Sequence, residues 1–547
     1  MDLTRRQQIH PLSIPSFPIA TGASKGSDVG RRQEEIWVED CRGEWYTGCQ
    51  CRSLLGLSLN WVGTDRFHRK VTIGTLPDYV LLEIFNFYVD EGHRADIWHT
   101  LVHVCQRWRY LVFASPRRLN LQILCTNRRP VREMLDIWPA LPIFVIWDDD
   151  DWHSDPRLLM DNILAALNHH ERVRRIDLWQ VRKFVWEGCG RAMQEPFPKL
   201  TELALRLNDE ESEAWPFPDS FLGGTGPRLR SLDLDSVPFP ALNKLLSSAK
   251  DLVTLRLWNI PHSGYISPTT MLTCLFAMPK LETLRLGFRS RPEGGETQRQ
   301  PSLAREVLPS LTRLQFKGAS EYLEDLISRI DAPLLDDLAV AFFDQPVFVI
   351  PRLFRFIDRT KNFKTFDEAG MVISKLSAEV TLHQRAGTVA SSSHSSTRLR
   401  MEILCREPDS QLSSLAQACT TSLSPLSTVE HLEIFDHWQR RRFPYEGEHN
   451  AQWLAILRPF TAVKDLYVSE GFISHVPLAL KDLTGERATE VLPALRNLYL
   501  RGLPCFGTVR IAVEAFVFAR ERSGHPVAFY RWEIDDASDK ANCNDRF

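Results

Sequence analysis

The sequence predicts an α/β chain: a small unit of three helices near the N-terminus, followed by a solenoid of short parallel strands with outer helices. Two observations predict it. Residues 76–121 carry three consecutive helical patterns with more apolar side chains than a unit of that size can bury by itself. Behind them, a pattern of the form apolar-x-x-Leu-x-apolar recurs as far as Leu500.

The helical stretch reads LPDYVLLEIFNFYVDEGHRADIWHTLVHVCQRWRYLVFASPRRLNL. Pro77 suits the first turn of a helix, where its missing N–H costs nothing. Asp78 and Glu83 suit the positive end of the helix dipole. Leu81, Leu82, Ile84, Phe85 and Tyr88 cover more than one face of the first helix. Ile97, Trp98, Leu101, Val102, Val104 and Cys105 do likewise in the next segment. Trp108, Leu111 and Val112 continue it, and Ser115-Pro116 stops it. A surplus of apolar surface on a small unit implies a partner.

The repeat begins at Val173, Leu200, Leu229, Leu252, Leu281, Leu311 and Leu335, in steps of 27, 29, 23, 29, 30 and 24 residues. It resumes at Val429, Val463 and Leu495, in steps of 34 and 32. Weak copies at Phe363-Phe366 and Leu399-Glu402-Leu404 fill the interval in steps of 28, 36 and 30, so one degenerate array is expected rather than two domains. This period lies near the upper end of leucine-rich repeats. In each copy the last two apolar residues lie two apart and point to one side of a strand. Stacking buries that side as a continuous core, and each repeat leans only on its neighbours. Segments such as Asp219-Ser220-Phe221-Leu222 and Ala241–Leu246 suit helices on the outer side. Residues 509–524 and the strand-like 526–534 are expected to cap the array, leaving 535–547 as a polar, flexible tail.

Bulk properties exclude several functions. Lys plus Arg is 66 and Asp plus Glu is 69, so no net field steers the chain to nucleic acid or a membrane surface. No apolar run approaches the ~20 residues of a membrane span. The opening MDLTRRQQIHPLSIPSFPIA is broken by prolines and does not read as a signal peptide. Eleven scattered cysteines fit a reducing, intracellular setting, cytoplasmic or nuclear. Cys41, Cys49 and Cys51 are one ligand short of a structural zinc site, so free thiols in a poorly ordered region are expected there. No P-loop, dinucleotide fingerprint, HExxH or GxSxG pattern occurs. The run Asp148–Asp151, with His153 and Asp155, lacks the Gly and terminal Glu of a calcium loop and reads as a solvated turn. His169-His170 reads as surface, and Cys105 as packed rather than nucleophilic. No cofactor, metal or catalytic residue is expected.

The order Leu76-Pro77, Leu82, Ile84-Phe85, Val104-Cys105 and Trp108-Arg109, followed by a strand-like Leu119-x-Leu121, resembles the F-box. The likeness covers residues 76–121 and departs from the family in the polar insert Asp90-Glu91-Gly92-His93-Arg94. It implies a three-helix domain over 71–121, behind a poorly ordered 1–70 and ahead of a repeat array over 122–534. It also implies binding of a Skp-type adaptor through Leu76, Pro77, Leu81, Leu82, Ile84, Phe85, Val104, Cys105, Trp108 and Arg109, and through that adaptor a cullin–RING ubiquitin ligase. With repeats behind it, the chain resembles the substrate-recognition subunits of such ligases. The other reading is a repeat scaffold whose F-box binds the adaptor alone.

Residues flanking the buried leucines point to the open side of the strands. Arg256, Trp258, Arg285, Arg313 and Lys317 place a cationic stretch with one aromatic mid-array, with Arg256, Arg285 and Arg313 expected as one row. His431, Tyr467, Tyr499 and Arg501 make a mixed polar and aromatic surface further on. The expected partner is a protein carrying acidic or phosphorylated residues.

Overall fold

The computed structural model describes Trp37–Glu39, Trp45–Thr47 and, between 73 and 532, all but 92–97, 126–130, 138, 148–155, 182, 208–215, 292–304, 345–349, 385–396, 406, 421–423, 437–448, 484 and 503–506. The cysteine trio, the acidic run at 148–151, most of the polar insert and the C-terminal tail lie outside the described residues. The chain divides into two units, Met1–Leu76 and Pro77–Phe547. In the first, Trp37–Glu39 pairs antiparallel with Trp45–Thr47, and Ile73–Thr75 forms a 3-10 turn.

The second unit opens with helices α1 (Asp78–Glu91), α2 (Trp98–Val102) and α3 (Gln106–Ala114). Leu81 and Phe85 on α1, Trp98, Leu101 and Val102 on α2, and Leu111 and Val112 on α3 form their shared core. Phe85 packs on Trp108 with ring centroids 4.7 Å apart. Arg107 on α3 clasps Asp78 at the start of α1 through two bonds of 3.0 and 2.6 Å. The Trp98 indole N–H donates to the Gln122 carbonyl at 3.1 Å, tying α2 to the chain entering the first strand.

Sixteen strands then form one sheet among the described residues. In chain order they are β1 (Ile123–Cys125), β2 (Ile143–Ile146), β3 (Val173–Val181), β4 (Glu202–Leu207), β5 (Ser231–Asp235), β6 (Thr254–Ile260), β7 (Thr283–Phe288) and β8 (Arg313–Gly318). They continue as β9 (Asp337–Phe343), β10 (Glu368–Ile373), β11 (Ser377–His383), β12 (Arg398–Leu404), β13 (His431–Asp436), β14 (Asp465–Val468), β15 (Asn497–Arg501) and β16 (Ala528–Trp532). From β1 to β9 each strand lies parallel beside the next, and so do β13 to β16.

The register follows the repeat. Leu203, Leu232, Leu255, Leu284, Leu314 and Leu338 pair in one buried row, and Leu205, Leu234, Leu257, Leu286, Phe316 and Val340 in the next. The residue ahead of each strand extends the ladder: Val253 N–H donates to Arg230, Glu282 to Val253, Thr312 to Glu282 and Asp336 to Thr312. Helices such as Leu242–Ser248 and Pro268–Phe276 cover the buried side. This is the architecture of a leucine-rich-repeat solenoid. Among the described residues no helix is long and apolar enough to cross a membrane.

One tie between repeats is a helix cap. Glu324, on helix Ser320–Ile327, accepts from the Arg352 and Leu353 backbone N–H groups at 2.9 and 2.7 Å. Those groups open helix Pro351–Arg359, whose N-cap Ile350 has no side chain to cap them. A carboxylate of one repeat thus caps the helix of the next.

The middle of the array departs from the expected periodicity. The sheet order there is β9-β12-β11-β10-β13, with β10–β11 and β11–β12 antiparallel. After β9 the chain crosses to the far position, returns through two hairpins, and lays β12 parallel against β9. The weak copies therefore fall in another register. Ala369 pairs with Leu432, and Met371 with Ile434, so Phe366 leads that copy and not Phe363. Leu399 and Met401 pair with Leu338 and Val340, so Leu399 is the second apolar position of its copy, and Glu402 lies on the open side. The Ser374–Ser377 turn that reverses the chain holds itself by Ser374 N–H to Ser377 carbonyl at 2.8 Å; no leucine spacing encodes it.

Smaller departures have local causes. Leu119 and Leu121 are buried, but the strand starts at Ile123. Asp219–Leu222 leads into a 3-10 turn at Phe221–Gly224 rather than a helix, because Leu222 and Gly223 take left-handed φ values of 55° and 65°. His170 is half-buried and its ring meets the Pro196 carbonyl at 2.9 Å, bridging two repeats.

The C-terminal cap is helix Thr508–Arg522 and strand β16, parallel to β15. Arg520 is fully buried there and donates to the carbonyls of Ala488, Pro493 and Leu495 at 3.1, 3.0 and 3.2 Å.

Two outcomes follow from this packing. Leu284→Ala should lower the free energy of urea unfolding by about 2–5 kcal/mol. Gln315→Ala, on the open side of the neighbouring strand, should change it by no more than about 0.5 kcal/mol; equal effects would contradict the assigned sides. Arg520→Lys keeps the charge but cannot reach three carbonyls, and should destabilise by about 1–3 kcal/mol. Hydrogen exchange should then rise first in β15 and β16, and uniform loss of protection would contradict a local clamp.

Candidate functional site

Two surfaces of the second unit are chemically distinctive. The first is the exposed side of α1–α3. By helical spacing, Tyr79 and Phe87 lie on the side of α1 opposite Leu81 and Phe85, while Ile84 and Tyr88 flank the buried pair. Tyr79, Ile84, Phe87 and Tyr88 are 67, 41, 63 and 39% exposed. Val104 before α3 and Tyr110 on it are 58 and 73% exposed. Six large apolar or aromatic side chains in so small a unit far exceed the scattered singles of an ordinary surface.

The sequence-predicted residues separate here by depth. Leu81 and Phe85 are fully buried; Leu76, Leu82 and Trp108 are half-buried; Pro77, Ile84, Val104, Cys105 and Arg109 are exposed. Cys105 was expected to be packed, but it precedes the first turn of α3 with extended backbone, which directs it to solvent. Arg109 Nε donates to the Val102 carbonyl at 2.9 Å, bracing the α2–α3 corner. Tyr79, Phe87 and Tyr110 escaped the sequence reading. Their signal is that α1 is apolar on nearly every face, which a helix with one covered side does not require.

The second surface is the open face of the sheet. Its central row, read through the register, runs Asp177, Ala204, Asp233, Arg256, Arg285, Gln315, Ala339, Arg400, Thr381, Gly370, Glu433, Tyr467, Tyr499, Tyr530. Arg313 is not in this row. It pairs with Thr283 and Asp337, one row toward the strand starts, because Gln315 is the residue opposite Arg285.

Over β6–β8 the face is cationic. Asp233, only 7% exposed, receives Arg206 at 2.5 Å and Arg256 at 3.4 Å. Arg256 is therefore already compensated. Arg285 and Arg313 make no ion pair with the described residues. Burial, then the neighbouring Arg256, lowers the pKa of the Arg285 guanidinium, and the Asp233 and Asp337 carboxylates partly offset them. Trp258 lies flat across Gly287, where a Cβ would sit 2.6 Å from the indole. Lys317 stands 5.9 Å from the centre of that ring.

Over β9, β12 and β11 two guanidinium groups are paired with three carboxylates. Arg400 bonds Glu379 at 2.9 Å and Glu402 at 3.4 Å, and Arg398 meets Asp337 through two bonds of 3.3 Å.

From β10 through β16 the face is anionic and aromatic. Glu433 is half-buried and makes no ion pair with the described residues. Burial and then the Glu368 carboxylate raise its pKa, and His431 partly offsets them. His431 Nδ1 lies 2.9 Å from Asp465. Tyr467 and Tyr499 stack at 4.4 Å and 6°, and Tyr499 and Tyr530 at 5.2 Å and 22°. Arg501 lies two residues beyond Tyr499 on β15. Tyr530 was missed in the sequence because β16 lacks the Leu-x-Leu signature.

Neither surface carries a catalytic constellation among the described residues. No group of three His, Cys, Asp or Glu there is placed to hold a metal. Burial pushes the thiols of Cys125, Cys189 and Cys419 up to about 12, far from thiolate chemistry at neutral pH.

No known protein family matches the chain, and no curated protein does. Among solved structures, it is similar to the leucine-rich repeat-containing protein LegL7 from Legionella pneumophila, at 10% identity over 74% of this chain and 98% of that one. The TM-score is 0.22, so the solenoid assignment rests on the register and burial described above.

Proposed function

We propose that this chain is the substrate-recognition subunit of an SCF-type cullin–RING ubiquitin ligase. Helices α1–α3 dock a Skp-type adaptor, which brings the cullin and RING components. The open strand face holds a protein substrate, and the chain performs no catalysis itself. In this reading it works inside the cell, in cytoplasm or nucleus.

One observation supports this most. The F-box-like order from Leu76-Pro77 to Trp108-Arg109 falls on three successive short helices that keep a set of large apolar side chains in solvent. A self-sufficient helical unit turns such residues inward, whereas one built for partner helices leaves them out. Leu81 and Phe85 then serve to hold the helices together. Ile84, Val104 and Tyr110, with Pro77, Cys105 and Arg109, are left to meet the adaptor.

On the open face, Arg285, Arg313 and Lys317 suit an acidic or phosphorylated substrate. Arg256 supports them from its pair with Asp233, and Trp258 supplies an apolar floor. His431, Tyr467, Tyr499 and Arg501 add contacts further along.

Two experiments test this. Phe87→Asp with Tyr110→Asp, or Leu76→Ala with Pro77→Ala, should reduce co-purifying adaptor and cullin at least about tenfold while the melting temperature holds. Adaptor without cullin on the intact chain would point to a scaffold, and neither protein would overturn the docking reading. Arg285→Glu with Arg313→Glu should remove the ubiquitylated neighbours found by proximity labelling under proteasome inhibition, with adaptor labelling unchanged. An unchanged set of neighbours would contradict the role of the cationic section.

A further inference from the structure

Two charges stand out on the central row of the open face. Arg285 on β7 is half-buried, lies opposite Arg256 in register and diagonal to Arg313, and makes no ion pair with the described residues. Glu433 on β13 is half-buried, lies near Glu368, and makes none either. The other charges of the row are compensated: Arg256 by Asp233, and Arg400 by Glu379 and Glu402. A charge that is partly desolvated, beside a like charge and in no direct ion pair, costs stability in the free protein. Such a cost is recovered when a ligand supplies the missing opposite charge.

We propose that the open face binds one extended segment of a protein partner, with an acidic side chain seated at Arg285 and a basic side chain seated at Glu433. This rests on the reading of the open face as the substrate-binding surface. The carboxylate of the segment pairs with the Arg285 guanidinium. The cation meets Glu433 and lies along the Tyr467–Tyr499 stack, whose aromatic faces also favour a cation. The row between them is permissive. Gln315, Ala339, Thr381 and Gly370 are uncharged, Arg400 between Ala339 and Thr381 is held by Glu379 and Glu402, and a Cβ at Gly370 would meet nothing within 4 Å.

The register sets the spacing. From β7 the sheet passes β8, β9, β12, β11 and β10 before β13, which makes six strand intervals. At about 4.8 Å each they span roughly 29 Å, which an extended chain covers in about nine residues. The partner segment is therefore defined by the signs of two charges and by the separation between them.

The test is selection of displayed random peptides, roughly twice that length, on the full chain and on Arg285→Glu, Glu433→Arg and the double variant, all checked for equal melting temperature. Peptides enriched on the intact chain should carry an Asp or Glu and a Lys or Arg about nine positions apart. Arg285→Glu should lose only the acidic preference, and Glu433→Arg only the basic one. A resynthesised peptide should bind each single variant about tenfold more weakly. The double variant should bind it again, because an extended peptide can run the opposite way along the row. Enriched peptides with charges of one sign, or with no preferred separation, would overturn the two-charge proposal and leave capture on the open face standing. No enrichment on any of the four proteins would overturn both.

Discussion

Everything in the solenoid depends on one constraint: each strand must bury one side, and no repeat can do so alone. Leu232, Leu255, Leu284 and Leu314 each find their contacts on the strands to either side and on the helices behind. A strand has a period of two, so committing one side to this core commits the other to solvent. The open face is thus a by-product of core packing. Its residues are free of the packing requirement that fixes the leucines, and the chain uses that freedom to vary charge along the sheet.

The central reversal shows how strict the constraint is. Strand β11 runs against its neighbours, yet Ala378, Val380 and Leu382 still face the core, in register with Ile403, Met401 and Leu399 on one side and Ile373, Met371 and Ala369 on the other. Direction is therefore negotiable and sidedness is not. The open side of the same strands gathers Glu379, Arg400 and Glu402, a mutually satisfied group between a cationic and an anionic section. Buried or half-buried charges are tolerated where such partners exist. Glu324, capping the next repeat's helix, and Arg520, holding three carbonyls at the end of the array, follow the same rule.

Legibility in the sequence tracked this constraint closely. Wherever Leu-x-Leu carried the core, from Leu203 to Val340 and from Leu432 to Leu500, strand position, side and register could be read directly. Reading failed where the core is built from Ala369, Met371, Ala378 and Val380, because small or irregular side chains leave no spacing to count. Arg313 falls outside the row expected for it, although the spacing was there to count: it stands two residues after Leu311, whereas Arg256 and Arg285 stand four after Leu252 and Leu281. In the helical unit the apolar excess was legible, but depth was not. The alternation of Leu81 and Phe85 inward with Ile84 and Phe87 outward depends on how α2 and α3 pack on α1.

In the function proposed above, the helical end of the second unit docks a partner by apolar contact and its strand face docks another by charge. The division is tested most directly by hydrogen–deuterium exchange of the full chain with and without a purified Skp-type adaptor. The account predicts that adaptor slows exchange across Asp78–Ala114 and leaves the strands from β3 to β16 unchanged. Protection appearing on the open strands, or none in α1–α3, would contradict it.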